Sequence, residues 1–320
     1  MAASSKSRGA RRPTVHRYLT QRRLEEHWPA IEAALEAKRD VWQIQGWSIQ
    51  GKAPRLRVVV KVPYRRVTPR APVSPLRIPG STPFWLKVGV EATFFSGFGK
   101  VTSRGHSRGR SRHSGPLVSG APIEVSSGGR SRCGIAAVLT LDDSPFLLTC
   151  GHNFNANAGK VFLPGSHAPI ARLTRNLFDD SSPLDAAICE LTDRGIELLD
   201  ASADADTWFS TVHTPEAADN DESAVFWPTS EDDPDPIELQ IVSFSVRFDP
   251  LFGPHGPKTR FIQMQLSASE GDSGSALAFG GALYGLCSGT AGPSAYFTAI
   301  ADVVQSLRSD FGSIKPWQPD

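Results

Sequence analysis

Residues 266–276 read Leu-Ser-Ala-Ser-Glu-Gly-Asp-Ser-Gly-Ser-Ala, which frames Ser273 between Gly271 and Gly274. Glycines at those places allow a tight turn that a side chain would obstruct. The amides of Gly271 and Ser273 can then converge on one point and hold a developing oxyanion. A serine hydroxyl is a weak nucleophile until a base removes its proton, and the base needs a carboxylate to fix its tautomer. Both partners occur upstream, in the order His, Asp, Ser. Phe146-Leu-Leu-Thr-Cys-Gly-His152 is an apolar run that ends in a small residue and a histidine. Pro183-Leu-Asp-Ala-Ala-Ile-Cys-Glu-Leu191 carries Asp185 into an alternating strand. Asp179 and Asp180 are alternative carboxylates, but no apolar strand follows them directly to bury the group. Each residue alone has a plain structural explanation, as a turn serine, a core histidine or a strand-start cap. The conjunction carries the chemistry: Ser273 attacks, His152 takes and returns the proton, and Asp185 orients His152.

Gly-Asp-Ser-Gly at 271–274, Gly151-His152 after an apolar strand, and Leu-Asp-Ala-Ala-Ile at 184–188 together resemble the trypsin/chymotrypsin-like serine proteases. The resemblance implies a mainly β chain with a double β-barrel, and a serine endopeptidase that cleaves protein or peptide substrates through an acyl-enzyme with no metal or organic cofactor. Gly285-Leu-Cys-Ser-Gly289 resembles the family segment whose serine supports the orienting carboxylate, which makes Ser288 the candidate for that role. The family places the floor of its specificity pocket six residues before the nucleophile, here Ser267, and Thr290 and Ala295 are the implied walls. Such a neutral pocket is expected to take small or medium apolar side chains rather than Arg or Lys. Two departures stand out. Ser275 replaces a common glycine, and no Ile-Val-Gly-Gly-like site precedes the barrels, so Asp272 needs a partner other than a freed amino terminus.

Outward from this core, residues 133–312 consist of short apolar runs broken by turns. Strands are predicted at 134–141, 145–150, 160–163, 168–173, 186–191, 224–227, 237–248, 259–266, 275–279 and 282–288, with Asp142-Asp143-Ser144 turning a hairpin. Residues 197–236 are acidic and read as exposed loops around one strand, and 298–308 reads as a closing amphipathic helix. Upstream, Tyr18, Leu19, Leu24, Trp28, Ile31 and Leu35 recur at helical spacing within 16–39, ahead of strand-like runs at 41–48, 55–62 and 84–95. That order loosely resembles the α+β segment preceding the protease domain in intracellular bacterial and plant trypsin-like proteins. The expected layout is therefore a basic disordered tail (1–14), a small α+β domain (15–97), a Gly/Ser/Arg-rich linker (98–132), the protease domain (133–312) and a short tail (313–320).

Charge divides the chain at the same place. Residues 1–132 hold 25 Lys+Arg and 7 Asp+Glu, and residues 133–320 hold 9 and 26, so a net +18 faces a net −17. The basic part is a candidate surface for an acidic partner or nucleic acid, although no aromatics interleave the arginines of 103–132 to stack on bases. No apolar run reaches the roughly 18 residues of a membrane helix. The basic start lacks a secretory apolar core, which predicts a cytoplasmic protein. Cys133, Cys150, Cys189 and Cys287 show no zinc-like spacing and read as buried thiols. A Cys133–Cys150 pair is the alternative if the protein is exported.

Overall fold

The structure, a computed structural model, describes residues 14–63, 75–80, 83–93, 117–126, 129–154, 159–179, 182–203, 209–229, 236–248, 260–265, 268–269, 271–291 and 293–319. The N-terminal part holds β1 (Val15–His16), α1 (Gln21–Glu36), α2 (Arg39–Trp42), β2 (Gly46–Gln50), β3 (Arg57–Pro63), β4 (Leu76–Ile78), β5 (Phe84–Leu86) and β6 (Gly89–Thr93). Thr20 caps α1 by accepting the Arg23 amide, and Leu24, Ile31 and Leu35 form its buried stripe. The strand expected at 41–48 starts later, because residues 39–42 form the short α2 before Gln43 turns the chain with φ +53°.

The first barrel comprises β7 (Pro122–Ser126), β8 (Arg130–Gly134), β9 (Ala137–Leu141), β10 (Ser144–Thr149), β11 (Lys160–Phe162), β12 (Pro169–Asp179) and β13 (Ser182–Leu191). Its order is β8-β7-β11-β12-β13-β10-β9. Strands β8 and β9 are two halves of one bent run, pairing with β7 through the first half and β10 through the second, so the bend closes the barrel. Asp142 and Asp143 both take positive φ, +46° and +67°, as a two-residue hairpin turn requires. The barrel therefore begins before the expected boundary. Residues 122–132 were expected as linker, but Ile123 and Val125 alternate inward on β7 and are fully buried.

Helix α3 (Asp193–Asp200) leads to the second barrel: β14 (Ser223–Phe226), β15 (Ile237–Phe248), β16 (Arg260–Met264), β17 (Ala276–Phe279), β18 (Ala282–Ala291) and β19 (Ser294–Ala299). Its strands follow the order β14-β17-β18-β19-β16-β15, and β14 pairs back with β15 to close the ring. The fold is the trypsin-like double β-barrel. Helix α4 (Ile300–Leu307) buries Ile300, Val303 and Leu307 in the core shared by the first barrel and the inner strands of the second. The acidic stretch of 197–236 is only partly loop, since the end of α3 and a 3-10 turn at Ala217–Asp219 lie within it, and Leu199, Asp219 and the following Asn220 are buried.

Two further expectations are corrected. Residues 314–316 are β20 (Ile314–Pro316), which pairs with β9, so the chain end is a barrel strand rather than a tail. The α+β segment is not a separate body either. β2 pairs with β15, which adds β2, β3 and β6 to the second barrel's sheet. Trp47 of β2 is fully buried, with the guanidiniums of Arg39 and Arg247 at 5.4 and 4.7 Å from its ring centre. The edge strand of one unit becomes an inner strand of a larger sheet, which satisfies backbone groups that a free edge would expose.

Candidate active site

Asp185 lies on β13, two residues before Ala187, which pairs with Thr149 at the end of β10. This register sets the carboxylate beyond the last pair of the ladder, where the chain of β10 turns through Cys150, Gly151 and His152. Asp185 is fully buried, and its Oδ1 accepts the backbone N–H of Gly151 and of His152, each at 2.9 Å. His152 Nδ1 lies 2.9 Å from Asp185 Oδ2. Burial pushes the His152 imidazole pKa down, but the charge of Asp185 and its hydrogen bond outweigh this and leave it above the ordinary value. With Nδ1 held by the carboxylate, the neutral imidazole carries its proton on Nδ1 and has Nε2 as its acceptor atom, which is the tautomer a general base needs.

Gly151 has no room for a side chain, because an added Cβ would come 2.5 Å from Asn176 Oδ1 and from Phe178 Cβ. Asn176, which sequence reading passed over, donates to the carbonyl oxygens of Gly151 and Phe154 at 3.2 and 3.4 Å. It braces the loop that carries His152. A buried asparagine within a strand is a weak signal, since only the fold brings 151 and 176 together.

Ser273 sits half-buried on a turn with Gly271 at φ +97° and Gly274 at φ +87°, which L side chains rarely adopt. Its carbonyl accepts the Gly134 amide at 2.8 Å, and Gly274 N donates to Cys287 O at 2.7 Å. A Cβ on Gly274 would lie 2.4 Å from Thr149 Oγ1 and 3.0 Å from Cys150 N. The serine turn thus packs on the end of β10, three residues from His152 along that strand's exit. Among the described residues, the amides of Gly271 and Ser273 donate to no protein acceptor.

Asp272 has the partner that the sequence left open. Its Oδ1 accepts Thr229 N at 2.8 Å and its Oδ2 accepts Ser269 N at 2.6 Å, with Arg132 contributing an attractive charge. Burial nonetheless raises its carboxyl pKa above the ordinary range, against those hydrogen bonds.

Other candidates fall elsewhere. Ser288 Oγ pairs with Thr298 Oγ1 at 2.7 Å, and among the described residues no hydrogen bond joins it to Asp185. The register of β18 against β19 shifts between Cys287 and Gly289, which turns Ser288 toward Thr298. Ala295 packs inside the second barrel with Met264, Cys287 and Phe297, so it is core rather than a pocket wall. Strand alternation puts its neighbour Ser294 on the opposite face, where Ser294 Oγ accepts Gln263 Nε2 at 2.9 Å. Thr290, which pairs with Ala295, is half-buried, and Ser267 lies outside the described residues. All four cysteines are free and buried, so Cys133 and Cys150 are not bonded. No group of metal ligands and no helix long and apolar enough to cross a membrane occurs among the described residues.

No protein-family model and no curated protein matches the chain. Among solved structures, it is similar to a glutamic acid specific serine protease with a novel histidine triad in substrate binding, at 18% identity and a TM-score of 0.45, over 62% of this chain and 99% of the other. Protease A of Thermobifida fusca is similar at 17% identity and 0.45, over 64% and 100%. The HtrA-type protease AlgW is similar at 16% identity and 0.41, over 61% and 60%. Likenesses this distant say nothing of activity.

Proposed function

We propose that the protein is a serine endopeptidase. Ser273 is the nucleophile, His152 the general base and then acid, and Asp185 the group that orients and charges-balances His152. The amides of Gly271 and Ser273 form the oxyanion hole. One observation carries this reading: a fully buried Asp185 holds both the backbone and Nδ1 of His152, at the end of the strand against which the Ser273 turn is packed. In the first step Ser273 Oγ attacks the peptide carbonyl as His152 Nε2 takes its proton. His152 returns that proton to the leaving amine, and water then repeats the sequence on the acyl-enzyme.

Asp272 needs no freed amino terminus in this scheme, because Thr229 and Ser269 already hold it. The oxyanion loop is therefore set without cleavage of the chain. A neutral pocket built from Ser267 and Thr290 favours small or medium apolar side chains. Four free, buried thiols support a reducing, cytoplasmic setting. The excess of Arg and Lys in 1–132 supports a docking role for an acidic partner or nucleic acid, read out by salt-dependent retention.

A fluorophosphonate probe tests the central claim. The expected result is one adduct on Ser273, lost in Ser273→Ala and His152→Ala. A folded wild-type protein that takes no label would overturn it.

A further inference from the structure

Where the N-terminal strands meet the second barrel there is an open surface cleft of about 380 Å³, lined mostly by exposed residues. Tyr18, Arg55 and Arg57 line it from the N-terminal side, and Asp221, Gln240 and Gln265 from the barrel side. Two arginines and a tyrosine share this lining with a single acidic residue, so hydrogen-bond donors of positive charge outnumber carboxylates there.

Arg57 is aimed without being neutralised. Its Nη2 donates to Gln50 Oε1 at 3.1 Å, while Gln50 Nε2 donates to Ser48 Oγ at 3.2 Å and to Glu91 Oε2 at 3.1 Å. Glu91 in turn accepts from Lys61 at 3.0 Å, and Lys61 is fully buried. The linked carboxylate is thus committed to Lys61, and Arg57 meets only the uncharged end of a carboxamide. Arg55 stands beside it on a turn fixed by Gly51, whose φ is +82° and where a Cβ would come 2.9 Å from Arg55 O. Among the described residues the Arg55 guanidinium has no hydrogen bond or ion pair. The same holds for the carboxylate of Asp221 and the carboxamides of Gln240 and Gln265, so the opposite charges line one cleft without closing on each other.

We propose that this cleft binds a short peptide by its free C-terminal end. The carboxylate sits on Arg55 and Arg57, whose planar forks match it. Main-chain amides pair with the carboxamides of Gln240 and Gln265, and the amino group points toward Asp221. A volume of about 380 Å³ lies at the small end of ligand pockets, which run from roughly 300 to 1,000 Å³ and here suit a di- or tripeptide. The supply of such a ligand rests on the peptidase reading, since amide hydrolysis creates the carboxylate. The binding itself needs no catalysis.

The test is calorimetric titration of the full chain carrying Ser273→Ala. Trialanine, its C-terminal amide and inorganic phosphate are the probes. Trialanine should bind, and the amide should bind at least tenfold more weakly. Arg55→Gln and Arg57→Gln on the same background should each lose at least tenfold with an unchanged melting temperature, and Arg57→Lys should fall between. Absence of binding, equal binding of the amide, or indifference to the arginines would overturn the proposal. Phosphate binding as tightly as trialanine would overturn it too, by making the cleft a bare oxyanion site. Arginine-dependent trialanine binding in a protein whose wild type takes no fluorophosphonate would keep the cleft and sink the peptidase reading alone.

Discussion

Gly134 of the first barrel gives its backbone N–H to the carbonyl of Ser273 at 2.8 Å, so one barrel clamps the serine turn of the other. A Cβ at Gly134 would come 2.2 Å from Ser275 Oγ and 2.3 Å from Thr229 Oγ1, within the structure that also holds Asp272. Gly134→Ala should therefore push the turn off its amide. The expected result is at least a tenfold slower reaction with fluorophosphonate in a protein that still folds. Wild-type labelling would show that the clamp is dispensable.

Asp185→Asn keeps the size of the side chain and removes the charge that favours the right tautomer of His152. Turnover of a peptide substrate should fall by about 10⁴. Asn176→Ala, which frees the Gly151 and Phe154 carbonyls without touching the carboxylate, should cost far less. Equal losses would assign Asp185 a purely structural part.

His152 is raised above its ordinary pKa because the Asp185 charge outweighs burial. Its neutral form is the base, so activity should fall as pH drops through that raised value, with the midpoint above that of a free histidine. The sign for stability is opposite. A raised folded-state pKa gives stability that is fully present below the unfolded value and lost as pH rises through the folded one. Kinetics against pH and thermal unfolding against pH should move in opposite directions across this window, and Asp185→Asn should abolish both shifts.

Lys61 is fully buried beside Glu91, which is one-third exposed. Glu91→Gln should destabilise the protein by about 2 kcal/mol, less than a fully buried pair because solvent screens part of the charge. Lys61→Met, which removes the buried ammonium itself, should cost much less. The comparison is made by urea unfolding, and the reverse order would refute the burial argument.

Deleting residues 1–132 would remove β7 and most of β8 and strip β2 from β15, so that variant should fail to fold. A cooperatively unfolding truncation would contradict the continuity of the sheet.

The sequence by itself determined the class of fold and singled out the candidate residues on which the proposed chemistry rests. The glycines of Gly-Asp-Ser-Gly favour a turn, His152 follows one apolar strand signal and Asp185 leads into another, and the alternation of apolar residues from 134 onward marks β-sheet. Such signals are local, because side-chain period and glycine freedom are properties of a few adjacent residues. Only the tertiary structure decided which groups meet across the chain. It put Asn176 under the histidine loop, gave Asp272 the amide of Thr229, turned Ser288 toward Thr298 and sank Ala295 into the core. It also drew 122–126, 130–134 and 314–316 into the first barrel and β2 onto the second. The Arg- and Ser-rich texture before 134 hid strands whose inward positions are few, and a ladder partner 200 residues away leaves no mark on local composition.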